Sequence, residues 1–266
     1  MAIPPRVIPV LLLKGGGFCK TTRFADPRYL GDPLNIVRIF NEKEVDELCI
    51  LDIDATLSGR GPQFAMLESL ADECFMPVSY GGGIRSAEDC RRLFAAGFEK
   101  VVLNSALADD VAIVSAVAAM AGSQAVIASI DARREPDGSH RVWTHGGRRP
   151  TGETPVRWAR RLADLGAGEI LLTDIDRDGT MEGYDLDLVR TVADAVPVPL
   201  IACGGAGSMD DLVAGVLKGH ASAVAAGSLF VFYGRRRAVL INPPTFEEFE
   251  AALVHAREDA APGDDG

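Results

Sequence analysis

The feature that most constrains this chain is that it repeats itself once. Leu51-Asp52-Ile53-Asp54 returns as Thr173-Asp174-Ile175-Asp176, and Gly81-Gly82-Gly83-Ile84 returns as Gly204-Gly205-Ala206-Gly207. Leu103-Asn104-Ser105-Ala106-Leu107 returns more loosely as Ala226-Gly227-Ser228-Leu229, so the offsets are 122, 123 and 123 residues. A repeat at one long offset defines the building unit before any single motif is weighed. Short apolar runs give candidate strands at Val7–Leu13, Leu48–Ile53, Pro77–Tyr80, Val101–Asn104, Ala125–Asp131, Ile170–Asp174, Leu200–Cys203 and Ala223–Ala226. Between them lie amphipathic helical patterns such as Leu34–Glu44, Ala87–Ala96, Val111–Met120, Pro155–Leu165, Leu186–Ala195, Met209–Leu217 and Phe246–His255.

Strands alternating with helices imply a parallel sheet, and eight such strands close into a barrel. The expected fold is therefore α/β, a single (β/α)8 TIM barrel over residues 1–256 built from two repeated half-barrels, about 1–122 and 123–256. Two linked domains would also repeat, but no Pro/Gly/Ser-rich linker occurs near residue 122. Residues 257–266, rich in Ala, Asp and Gly, read as a disordered acidic tail.

The 47 % hydrophobic and 24 % charged content over 266 residues supports a sizeable core. A net charge of −11 argues against nucleic-acid partners without opposing a local cationic pocket for phosphate. No apolar run nears the roughly 20 residues of a membrane span, and the first residues lack a signal-peptide pattern, so a cytoplasmic protein without membrane association is expected. Cys19, Cys49, Cys74, Cys90 and Cys203 are odd in number and scattered, indicating reduced thiols rather than disulfides or zinc. No cofactor and no metal is implied by the motifs.

In a barrel of this type, reacting groups gather at the C-terminal ends of the strands. Both glycine clusters end a strand there, and the pairs Asn104-Ser105 and Gly227-Ser228 end the next one. Glycines at such places let backbone N–H groups approach an anion closely. Taken singly they could merely permit tight turns; matched at one offset, they predict one phosphate grip per half. Asp131 closes the apolar run before it and is the candidate general acid or base, with Asp52 and Asp174 at the matching place on their own strands. Asp54 and Asp176 read as turn-fixing carboxylates. Laying Ile8–Lys14 over Ile127–Arg133 sets Leu12 opposite Asp131, and leucine transfers no proton. Lys14 and Lys20 stand nearby as cations for a phosphate or carbonyl, with simple solvation as the alternative. Arg6, Glu47, Lys100 and Glu169 precede their strands at the opposite end, either as a salt-bridged plug or as a gated entrance.

These residues resemble the cyclase subunit of imidazole glycerol phosphate synthase over roughly residues 6–255. The resemblance rests on Gly81-Gly82-Gly83-Ile84, Gly122-Ser123-Gln124-Ala125, Ile130-Asp131-Ala132, Thr144-His145-Gly146-Gly147, Gly166–Thr173, Asp174–Thr180 and Gly204-Gly205-Ala206-Gly207. It implies a lyase that receives ammonia at its floor from a glutaminase, in a heterodimer, and uses it to split and cyclise a doubly phosphorylated ribonucleotide in histidine biosynthesis. It also implies a gate at Arg6, Glu47, Lys100 and Glu169, glutaminase docking at Glu99 and Gln124, and a catalytic aspartate at Asp131. Its phosphate and substrate contacts fall on Lys20, Asp52, Gly83, Asn104, Ser105, Thr173, Asp178, Gly179, Gly205, Gly227 and Ser228. The family's second catalytic aspartate falls on Leu12.

The strings Leu11–Gly17, Gly227–Phe230 and Arg237–Asn242 further resemble a divergent branch linked to acetamidino modification of surface-polysaccharide sugars. In that branch the barrel works with a glutaminase and a sugar amidotransferase. A second phosphate-binding barrel, the isomerase preceding this cyclase, shares the half-barrel repeat but would want acids at both symmetry-related positions and has no need of the four-charge floor.

Overall fold

The computed structural model describes residues 4–234 and 236–260. Eight strands, β1 (Arg6–Lys14), β2 (Leu48–Asp52), β3 (Val78–Gly81), β4 (Lys100–Leu103), β5 (Val126–Arg134), β6 (Glu169–Asp174), β7 (Leu200–Cys203) and β8 (Ala223–Ala226), pair in parallel in that order. β8 returns to β1 with Arg6 against Ala223 and Ile8 against Ala225, so the sheet closes on itself. Helices α1 (Pro33–Glu42), α2 (Phe64–Glu73), α3 (Ala87–Ala95), α4 (Ala112–Ala121), α5 (Pro155–Asp164), α6 (Leu186–Ala193), α7 (Met209–Leu217) and α8 (Phe246–Ala260) each follow one strand. This is a (β/α)8 barrel, as expected.

Local chemistry sets where the helices begin. Asp32, Thr154, Asp185 and Ser208 each accept a hydrogen bond from the backbone N–H three residues on, and prolines occupy the first turns of α1 and α5. Ser86 and Asp89 form a reciprocal capping box at the start of α3.

Strand alternation then splits the apolar residues into two sets. Leu11, Leu13, Leu48, Ile50, Tyr80, Val101, Ile170 and Leu172 face the helices and join one large core. Ile8, Val10, Leu12, Cys49, Val102, Ile127, Leu171, Ile201, Ala223 and Ala225 face inward and fill the barrel. Cys19, Cys49, Cys74, Cys90 and Cys203 are free thiols, as their spacing suggested. No helix among the described residues is long and apolar enough to cross a membrane.

The departures from expectation are extensions of the barrel. β5 runs past Asp131 to Arg134, because His140–Thr144 pairs with it antiparallel and supplies ladder partners to polar residues that alternation alone does not mark. β1 is likewise prolonged by a hairpin of Gly17–Thr22 with Ala25–Gly31, turning at Arg23-Phe24 with φ of 53° and 61°. α2 buries only Leu67 and Leu70, too thin a stripe to stand out in sequence. Arg257 to Ala260, expected in the tail, continue α8, where His255 Nε2 lies 3.5 Å from Asp259 Oδ2 one turn on. Residues 261–266 of that tail lie outside the described residues.

Leu48 is fully buried where β2 meets the surrounding helices. Leu48→Ala is expected to lower the unfolding free energy by about 2–5 kcal/mol, read from chemical-denaturation midpoints at unchanged slope.

Candidate active site

The C-terminal ends of the strands surround a cavity of about 220 Å³. Lys20, Asp52, Gly83, Asn104, Ser105, Asp131, Thr173, Asp178, Gly179, Gly205, Gly227 and Ser228 all line it, together with Leu12 and Lys14. The residues singled out in both halves of the sequence thus meet in one place.

Asp131 is placed by the β5–β6 register beside Thr173. Its Oδ2 accepts a hydrogen bond from Asn104 Nδ2 at 3.1 Å, and the same amide reaches the Ser129 carbonyl at 3.2 Å. Burial pushes the Asp131 carboxyl up to about 7; the nearby Asp178 charge pushes the same way, against the pull of Asn104. A carboxyl poised near neutrality can both give and take a proton. Asp178 is also raised by burial, opposed by Lys20, by Thr21 Oγ1 donating at 3.2 Å and by the Phe24 backbone N–H. Leu12 stands in register with Leu51 of β2 and with Cys19 of the hairpin, and is 7 % exposed.

Lys20 is buried, which removes the solvation alternative; its Nζ lies 3.4 Å from the Val10 carbonyl and close against Gly227. A Cβ at Gly227 would come within 1.9 Å of that Nζ, so glycine here makes room for the cation. Gly179 has φ of +72°, and a Cβ there would sit 2.2 Å from the Thr21 carbonyl, so glycine lets the loop after β6 pack under the hairpin. Ser228 Oγ is buried without a hydrogen-bond partner among the described residues, and Ser105 Oγ accepts from the His145 backbone N–H at 3.2 Å. A buried hydroxyl left free in a wall carrying Lys20 suits an incoming anion.

Asp52 and Asp174 hold their loops in the same way: each accepts from the backbone N–H two residues on, Asp54 at 3.0 Å and Asp176 at 2.9 Å. Arg60 Nη2 meets Asp54 at 3.1 Å, and Asp176 accepts from the Arg134 backbone N–H at 2.8 Å, in keeping with a turn-fixing role for Asp54 and Asp176. Asp174 itself does not line the mouth cavity. Arg148, Phe24, Leu57 and Cys203 do line it, and sequence reading did not single them out. Arg148 directly follows the string Thr144-His145-Gly146-Gly147, which was the available signal.

At the opposite end, Arg6, Glu47, Lys100 and Glu169 form a closed ring. Arg6 pairs with Glu47 and, at 2.7 Å, with Glu169; Lys100 Nζ lies 2.9 Å from Glu47 and 2.8 Å from Glu169. The two cations and two anions alternate and cancel. Glu99 and Gln124 are exposed just before β4 and β5, on the face where the ring lies.

Because Asp131 holds its proton more tightly folded than unfolded, its contribution favours folding below pH 4 and fades as pH rises toward 7. Asp131→Asn is therefore expected to raise the melting temperature at pH 8 and leave it unchanged near pH 4, the gain bounded by about 4 kcal/mol. Thermal melts across that pH range check this.

Comparison with known proteins shows the family of the chain. Residues 6–236 match the family described as histidine biosynthesis protein. The chain is 49 % identical over 245 residues to a provisionally named imidazole glycerol phosphate synthase subunit hisF2 of Pseudomonas aeruginosa, covering 92 % of this chain and 98 % of the relative. It is 44 % identical over 250 residues to a provisionally named HisF subunit of Leptospira interrogans, covering 94 % and 98 %. The HisF subunit of imidazole glycerol phosphate synthase from Hyphomonas neptunium is 49 % identical over 227 residues, covering 85 % and 90 %. With most of both chains aligned at this identity and the barrel closed around a single mouth, this protein belongs to the HisF family of imidazole glycerol phosphate synthase cyclase subunits.

Proposed function

We propose that this chain receives ammonia at its floor from a glutaminase partner and delivers it to a phosphorylated acceptor in the mouth, serving amidine formation on surface-polysaccharide sugars beside a sugar amidotransferase. The observation that carries this reading is Leu12. It lines the mouth with Asp131, at the place where the family's second catalytic aspartate is expected, and it transfers no proton. The floor argues that nitrogen delivery is nonetheless retained. Arg6, Glu47, Lys100 and Glu169 make a neutral, partly buried ring, and the interior above it is lined by Ile8, Cys49, Val102, Ile127 and Leu171. An apolar interior above a neutral ring favours entry of neutral ammonia over ammonium, whose charge is costly to desolvate. Glu99 and Gln124 offer the exposed docking positions beside the ring.

In the mouth, Gly83, Asn104 and Ser105 form one anion grip, and Asp178, Gly179, Gly205, Gly227 and Ser228, with Lys20, form the other. Asp131 exchanges protons with the incoming nitrogen or with the acceptor, and Asp52 and Thr173 shape the space around it. A second reading, authentic cyclase turnover in histidine biosynthesis, is favoured by Asp178: its carboxylate lies close enough to raise Asp131 and could stand in for the missing acid.

Steady-state assay with the ribonucleotide and saturating ammonium, beside Leu12→Asp, separates the two. Loss of one of two proton-transfer groups is worth a factor of about 10² or more, so the parent is expected at least that far below the variant. Family-typical turnover by the parent selects the cyclase. Docking is read separately: Glu99→Ala with Gln124→Ala should weaken glutaminase binding at least about tenfold, and undiminished binding refutes that surface.

A further inference from the structure

A second set of donors converges outside the mouth. His140, on the strand paired with the extension of β5, Asp174 at the end of β6 and Asp185 at the N-cap of α6 bring one ring nitrogen and two carboxylate oxygens within 4.8 Å of one another. They share a cavity of their own, apart from the mouth. Their side chains are 14 %, 6 % and 12 % exposed. Each has capacity to spare. His140 Nε2 is buried with no hydrogen-bond partner among the described residues, and Asp185 Oδ2 stands 3.5 Å away. Asp174 spends Oδ1 on the Asp176 backbone N–H at 2.9 Å, leaving Oδ2 with Arg177 Nε at 3.7 Å. Asp185 spends Oδ1 on the Leu188 N–H at 3.0 Å, leaving Oδ2 with Arg134 Nη2 at 3.9 Å. Both guanidinium contacts are longer than a hydrogen bond.

We propose that His140, Asp174 and Asp185 bind one divalent transition ion of the zinc class, with water completing the coordination. One imidazole and two carboxylates suit such an ion. Donors held at about 2.1 Å around a tetrahedral ion lie about 3.4 Å apart, close to the separation of His140 Nε2 and Asp185 Oδ2. The ion takes no part in proton transfer. Asp174 and Asp185 bracket the loop that carries Asp178 and Gly179, and His140 belongs to the hairpin on β5, so the ion fixes both ends of the loop to its neighbour and stiffens one wall of the mouth. This site stands or falls independently of the nitrogen-delivery reading.

The test is calorimetric titration of the chelator-stripped full chain with Zn²⁺, with thermal melts, for the parent, His140→Phe, Asp185→Asn and a control, His220→Ala. The control ring pairs with Asp194 at the surface, far in sequence from the cluster. Asp185→Asn keeps a capping oxygen for α6, so its isotherm decides the matter if His140→Phe does not fold. One ion per chain is expected, bound at least tenfold more weakly by both cluster variants and equally well by the control, with a melting-temperature gain of at least about 2 °C in the parent and the control and a smaller one or none in the cluster variants. Absence of binding by the parent, or equal binding by the cluster variants, overturns the proposal and leaves His140 a packing partner of the two carboxylates.

Discussion

Closure of eight parallel strands is the constraint on which the rest of this protein depends. Once β8 pairs with β1, each residue of the barrel wall faces either the helices or the barrel interior, and a shift of one residue would exchange the two sets. The outer set is large and aliphatic and holds the helices. The inner set is small and mixed, grading from the charged ring at the floor through Ile8, Cys49, Val102 and Leu171 to Asp131 and Thr173 at the mouth. Function is carried by this second, minor set, and the major set keeps it in register.

The two polar ends of the barrel solve burial differently. At the floor, each cation bridges both glutamates, so the charges neutralise one another where solvent is scarce, although Glu47 Oε1 has no hydrogen-bond partner among the described residues. A ring of this kind adds little net stability, because desolvation opposes its Coulomb gain, but removing one member would leave a buried charge uncompensated. At the mouth the balance is left incomplete: among the described residues Asp131 receives only Asn104, and Ser228 Oγ receives nothing. Unsatisfied polar groups facing a cavity are what a binding site retains for its ligand.

Between these ends, the loops above the strands are tied by short-range devices. Asp52 and Asp174 anchor the loops after β2 and β6 through N–H groups two residues on, and the hairpin beyond β1 is fastened to the β6 loop through Arg23, whose N–H and Nε reach the carbonyls of Asp178 and Asp176. One wall of the mouth is thus a composite of chain segments distant in sequence, and the His140, Asp174 and Asp185 cluster lies behind that wall.

The sequence by itself determined the barrel, because hydrophobic period, capping residues and a long-range repeat are local or additive signals that survive without coordinates. It also determined which strand ends carry the chemistry, since the paired Gly clusters, Asn104-Ser105, Gly227-Ser228 and Asp131 sit at positions fixed by the β/α unit. Only the tertiary structure decided the extensions of β1 and β5, whose polar residues gain ladder partners from segments no periodicity announces. It alone buried Lys20 against Gly227, set Asp178 close enough to raise Asp131, and drew Arg148 into the mouth and His140 toward Asp174 and Asp185. Those facts depend on distances between residues far apart in the chain, and side-chain electrostatics is set by such distances and by burial, neither of which a pattern of residue types contains.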